Sequence, residues 1–285
     1  MNRPTTLVAL LVAATAFATA CGSQSGTLGE APTGTSPTAT PPPTATPTVP
    51  PDTTVSPGTG KVLTIQVWFT RGGRLFATSR SGPWTVTSSR RAINSLMAGP
   101  TAVEAGAGVT NGVDRMPYTV SIGGGVATVD LPAAFYTGGR DHARLRQAQV
   151  VYSLTQFSTV TRVGFQKDGR ATGAPVGRAD HADLLPPIVV TSPVIGSTVT
   201  SPVVVAGTAN VYEATVSVRI LDSTGAELVT TFTTATCGSG CRGSYRHPVR
   251  FRVGATQRGT VEVFQVSPAD GSRTHVVRIP VTLSP

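Results

Sequence analysis

The sequence predicts an α+β arrangement, a small α/β domain followed by an all-β sandwich. Three observations predict it. From Lys61 to about Gly169, alternating apolar runs are interleaved with two stretches of helical period. Beyond Pro186-Pro187 the helical period is lost and seven short β-rich runs follow one another. Residues 22–60, just before Lys61, contain no basic residue and are too rich in proline and threonine to build a core.

The chain starts with a short basic stretch, Asn2-Arg3. An apolar run from Leu7 to Ala18 and small residues at Thr19 and Ala20 follow, and then Cys21. That order is a secretory signal, and the run is too short and too rich in Ala and Thr to span a bilayer, which takes roughly 20 apolar residues. It resembles a bacterial lipoprotein signal, spanning residues 1–20, in which the cysteine becomes the first mature residue and carries lipid. Ala18 departs from that pattern, where Leu is usual. The competing expectation is ordinary cleavage near Ala20 with an incidental thiol. Residues 21–60 then form a disordered tether: from Ala31 to Gly60 there are nine prolines and ten threonines in thirty positions. Its expected reach runs from about 35 Å as a coil to about 120 Å as extended polyproline.

In "VLTIQVWF", Leu63, Ile65, Val67 and Phe69 share one strand face, and "RGGRL" turns the chain. Ser88 or Ser89 is expected to cap a helix with an apolar face of Ala92, Ile93, Leu96 and Met97, stopped by Gly99-Pro100. "YTVSIGGGVATVDLPAAF" predicts two strands around a glycine turn. Asp141 is expected to cap a second helix running through Phe157 and burying Leu145, Ala148, Val151, Tyr152 and Leu154. "TVTRVGFQKDG" predicts a strand ended by an Asp-Gly turn.

The runs "IVVTSP", "PVVVAGTA", "ATVSVRILD", "ELVTTFTTAT", "HPVRFRV", "GTVEVFQVS" and "HVVRIPVTL" are seven spaced strands in about 100 residues, the pattern of an immunoglobulin-like sandwich. With Cys21 set aside, Cys237 and Cys241 remain as an even pair in an exported chain, and a disulfide across "CGSGC" is expected. Zinc is the rival reading, but it needs four ligands and only His247 is near, so no metal is expected.

On these elements, the segment from about Lys61 to Gly169 resembles the GerMN domain of sporulation and germination proteins, through "SLMAGP", "GGGVATVDLPAAF" and above all "QAQVVYSLTQFSTVTRVGFQKDG". The segment from Ile188 to Leu283 resembles the immunoglobulin-like Gmad2 domain, through "TSPVIGSTVTSPVVVAGTANVYEATVSVRILDSTG" and the run from "VEVFQVSPADGS" to "IPVTL". The expected domains are therefore residues 61–180, GerMN-like, and 187–285, Gmad2-like. The resemblance implies interaction modules with no established catalytic residues to carry over and no cofactor.

Function follows by exclusion as much as by motif. The four histidines are scattered, no HExxH, G-x-S-x-G or S-x-x-K motif stands around a plausible residue, and "GGG" joins two strands instead of opening a helix onto a phosphate. Asp130, at a strand end, is expected to hold backbone. Residues 61–180 carry 14 basic against 6 acidic side chains, whereas 181–285 carry 8 against 6. An exported domain without an aromatic stacking cluster is not expected to meet nucleic acid; anionic lipid or wall polymer fits the charge better. The candidate contact surface is Trp84 beside Arg80, with Arg90 and Arg91 at the first helix and Arg140, Arg144 and Arg146 at the second; a plain solvated face is the alternative. The expectation is a non-enzymatic protein on the extracytoplasmic face of the cell membrane, anchored through lipid on Cys21. It would bind an envelope protein or cell-wall polymer, in envelope assembly or spore germination. The alternative is a cell-wall hydrolase or the activating subunit of one.

Overall fold

The computed structural model describes residues 60–285. The expected leader, the lipid site Cys21 and the Pro/Thr-rich segment lie outside the described residues.

Strands β1 (Val62–Arg71) and β2 (Arg74–Pro83) form a hairpin whose turn, Gly72-Gly73, needs positive φ at both positions, 58° and 73°. Ile65, Val67 and Phe69 enter the core as the alternation predicts. β2 was not foreseen beyond the turn: Leu75, Phe76 and Ala77 are buried on both of its faces, so its sequence shows no two-residue period. Helix α1 (Ser88–Ala98) buries Ala92, Ile93, Leu96 and Met97. Its N-cap is Thr87, one residue before the expected serines, and no side chain caps it. The short helix α2 (Ala102–Gly106), also unforeseen, opens with a capping box between Thr101 and Glu104.

β3 (Val109–Thr110) pairs with the end of β1, giving the order β2-β1-β3. β4 (Thr119–Gly123) and β5 (Val126–Leu131) form the second hairpin, and Gly124 and Gly125 take φ of 57° and 81° at its turn. Helix α3 (Arg140–Leu154) crosses from β5 to its parallel neighbour β6 (Arg162–Lys167), and β7 (Arg170–Ala171) closes the order β4-β5-β6-β7. Asp141 is not the cap of α3. Gly139 holds that position and Asp141 sits within the first turn, where it faces the positive end of the helix dipole. The helix also ends at Leu154, short of Phe157.

α3 does more than bury an apolar face. Because β3 covers only the end of β1, the β1 backbone at Gln66 and Trp68 would lack partners. A polar row on α3 and just beyond it supplies them. Gln149 Nε2 donates to the Trp68 carbonyl (3.0 Å), Ser153 Oγ accepts from Trp68 N (3.1 Å), and Gln156 both accepts from Gln66 N and donates to its carbonyl, each at 2.7 Å. Gln149 and Ser153 are completely buried, so the row acts as a substitute strand.

The second domain has two sheets. β8 (Ile188–Ser192), β10 (Val203–Ala209) and β13 (Gly243–Val249) form one, in the order β13-β10-β8. β11 (Thr215–Leu221), β12 (Glu227–Thr234), β14 (Gln257–Val266), β15 (Arg273–Leu283) and the short β9 (Thr198–Val199) form the other, in the order β12-β11-β14-β15-β9. Val205, Val218, Ile220, Val261, Val263 and Ile279 fill the space between them, so the region is the immunoglobulin-like sandwich its spacing implied. One strand is displaced from expectation. β13 ends at Val249, where its pairing with Val203 ends, and Phe251 is buried beyond the ladder with its N–H on Ser201 Oγ (3.1 Å). Cys237 and Cys241 are disulfide-bonded with Cα atoms 5.7 Å apart.

The two domains belong to one compact unit. Val189 of β8 leaves the sandwich core and joins Trp68, Leu75, Ala77, Ala148, Tyr152 and Leu185 in an apolar cluster at the junction. Gly207 permits this approach, because a Cβ there would collide with the Val189 carbonyl.

Candidate binding cleft between the two domains

The junction cluster forms the floor of a cleft of about 470 Å³ walled by both domains. From the first domain come Trp68 and Tyr152, with ring centroids 4.8 Å apart and planes tilted by 53°. Each is fixed by its element: Trp68 by the α3 side chains that hold its backbone, Tyr152 by the buried half of α3. The Tyr152 hydroxyl donates to the Arg178 carbonyl (3.1 Å), and burial pushes its pKa up.

Arg178 begins the 3-10 segment Arg178–Leu184 that leads to the junction. Its guanidinium lies 5.0 Å from the Tyr152 ring centroid and 5.9 Å from that of Trp68, within cation–π range. Its Nε donates to Thr155 Oγ1 (2.8 Å) and one Nη to the Tyr152 carbonyl (3.1 Å). From the second domain Arg242, the residue after Cys241, donates to the Pro186 carbonyl at 2.6 Å. Burial lowers the pKa of both arginines from an already high starting point, so both stay charged. Neither has a carboxylate partner among the ion pairs of the described residues. The Trp68 indole Nε1 is buried without an acceptor.

Nothing in the sequence joined these four residues. Tyr152 was expected as core, which it is, as is Trp68, and Arg178 and Arg242 went unremarked because both come from irregular segments. The buried His181 was missed too. Both its ring nitrogens lack partners among the described residues, and burial, then the Arg144 charge, lower its pKa. Among the described residues no three His, Cys, Asp or Glu side chains gather as metal ligands.

The candidate contact residues divide. Trp84 is 46% exposed at the end of β2, and Arg90 is exposed. Arg91 reaches back to the Pro83 carbonyl (2.6 Å), and with Arg90 and Asn94 it lines a shallow hollow on α1. Arg140 is exposed at the start of α3, and Arg144 pairs with Asp183 at 2.6 Å. Arg80 and Arg146 point their donors inward. Arg80 forms a fork with the buried Glu104 (2.9 and 2.6 Å), and Arg146 clamps the carbonyls of Gly112, Phe135 and Thr137. Asp130 Oδ2 accepts from Gly169 N (2.9 Å) and holds the β6–β7 turn.

The architecture is thus that of an α+β domain packed against an immunoglobulin-like sandwich. Residues 78–173 match the family described as sporulation and spore germination, and residues 187–272 match the immunoglobulin-like domain of bacterial spore germination. The chain carries these two domains in tandem. Neither description names an enzyme. No curated protein matches the chain. Among solved structures it is similar to the first GerMN domain of the sporulation protein GerM from Bacillus subtilis, at 19% identity over 41% of this chain and 95% of that one, TM-score 0.35. The tandem GerMN domains of the same protein match at 15% identity over 79% and 61%, TM-score 0.37. CopC from Methylosinus trichosporium OB3b matches at 20% identity over 34% and 94%, TM-score 0.23.

Proposed function

We propose that this protein is a non-enzymatic binding component of spore germination or envelope assembly, held to the outer face of the cell membrane by lipid on Cys21. The observation that carries the reading is the pairing of two sporulation and germination domains in one packed body. The leader ending in Cys21 and the Pro/Thr-rich stretch support anchoring, since lipid on a single cysteine followed by an extended segment would hold the pair at a distance from the bilayer. The exposed Trp84 and the α1 hollow around Arg90 and Arg91 are the surface offered to an envelope protein or anionic wall polymer. Crosslinking in living cells, followed by recovery of the protein and mass spectrometry, tests this. The expected result is one protein partner, or glycan fragments, enriched with the parent and lost with Cys21→Ser. A Cys21→Ser form that stays in the membrane fraction refutes the anchor, and a zymogram clearing cell wall with the folded protein refutes the non-enzymatic role.

A further inference from the structure

The cleft between the domains holds an unbalanced charge. Arg178 uses Nε and one Nη on Thr155 and Tyr152, leaving its other Nη without a hydrogen-bond partner among the described residues. Arg242 places its Nη atoms on the carbonyls of Pro186, Pro187 and Thr208, the last two at 3.4 Å, and on the Thr208 hydroxyl at 3.3 Å, and its Nε has no partner among the described residues. Both guanidinium groups are half-buried, and withdrawing a charge from water is costly unless it is paired; carbonyl dipoles and ring faces offset only part of that cost. At Arg80 and Arg219 a buried glutamate meets the guanidinium, and Arg146 instead spends its donors on three carbonyls. Here no aspartate or glutamate lines the cleft.

The rest of the wall narrows the ligand. Trp68, Tyr152, Leu185 and Val189 present aromatic and aliphatic surface that a bare inorganic ion would leave wet. A volume of about 470 Å³ at a domain junction lies within the size range of small-molecule sites, about 300 to 1,000 Å³. Guanidinium groups favour planar oxyanions, which they can grip through two N–H groups.

We propose that this cleft binds a small organic anion, its oxyanion held between Arg178 and Arg242 and its apolar body laid against Trp68, Tyr152, Leu185 and Val189. The site goes beyond the interaction role above. It requires neither the lipid anchor nor the α1 surface, so it stands or falls separately.

Three probes of one shape test it on the full chain: 2-naphthoate, 2-naphthyl phosphate and the uncharged 2-naphthamide. The readout is the Trp68 indole Nε1–H resonance, assigned with Trp84→Phe, since the chain has two tryptophans. The expected result is a saturable shift with at least one anion and binding of the amide at least about ten-fold weaker, the loss of a charge-assisted hydrogen bond. Preference between the two anions distinguishes a carboxylate from a phosphate ligand. Arg178→Gln and Arg242→Gln should each weaken the anion about ten-fold or more. Ala182→Trp, at an exposed position on the rim, should block the cleft while leaving both arginines in the sequence. No saturable shift at millimolar anion, equal binding of the amide, or parent-like affinity in the Ala182→Trp form would each overturn the proposal, whether or not the arginine variants fold.

Discussion

Arginines at the edge of the protein interior occur in two settings. At Arg80, and again at Arg219 with Arg278, the guanidinium meets a glutamate only 2% exposed, Glu104 in the first domain and Glu262 in the second. In the cleft, Arg178 and Arg242 meet carbonyls, a hydroxyl and ring faces instead. The first setting is closed: Glu104 also accepts from the Thr78 hydroxyl (2.6 Å) and the Thr101 N–H (2.7 Å), so both of its oxygens are occupied. The second leaves donors unanswered. An ion pair on a buried carboxylate with both oxygens satisfied is a structural device, whereas the half-buried cleft cations keep donors that the proposed anion would take.

The largest expected effect lies in the closed setting. Glu104→Ala strands Arg80 and removes half of the α2 capping box, and should cost about 3 kcal/mol in urea unfolding. The pH dependence has the same origin. Hydrogen bonds from Arg80, Thr78 and Thr101 outweigh the opposing desolvation and hold the Glu104 pKa at about 2, against an ordinary 4.5. A depressed carboxylate contributes stability that is fully present above its unfolded pKa and lost as pH falls through the folded one. Stability should therefore drop between about pH 4.5 and 2, and Glu104→Gln should flatten that part of the curve.

Opening the Cys237–Cys241 ring with a double serine substitution should cost at most about 2 kcal/mol, because the loop it closes is short, and should disturb the tip that carries Arg242. Smallest is Arg178→Met, expected within about 1 kcal/mol of the parent. It loses two hydrogen bonds and its cation–π contacts but relieves an unpaired, half-buried charge. If Arg178→Met proves as damaging as Glu104→Ala, the two settings are not different in kind and the contrast fails.

What could be read from the sequence followed periodicity. The face of β1 and the four buried residues of α1 were legible because a single buried side leaves a regular apolar spacing. β2 escaped because it is covered on both sides, and α3 was only half understood because its buried polar row looks like an exposed one. The spacing of Gln149, Ser153 and Gln156 is that of a second helical stripe, but only the three-dimensional position of β1 shows that the stripe faces inward. Glu104 had a usable signal, the Thr-x-x-Glu of a capping box just after Gly99-Pro100. The cleft had none. Its two arginines lie on irregular segments far apart in sequence, and no propensity or spacing rule ties them to Trp68 and Tyr152.

The stretch matched to the first family starts at residue 78, inside β2, and so leaves out β1, the strand between β2 and β3 whose Ile65, Val67 and Phe69 fill the core. The stretch matched to the second stops at residue 272, one short of β15, which lies between β14 and β9. A module transplanted into another chain at those borders would arrive without an interior strand of one sheet in each domain. What is portable in this protein is larger than what is recognisably shared, and the graft that keeps its shape must also carry residues 62–77 and 273–283.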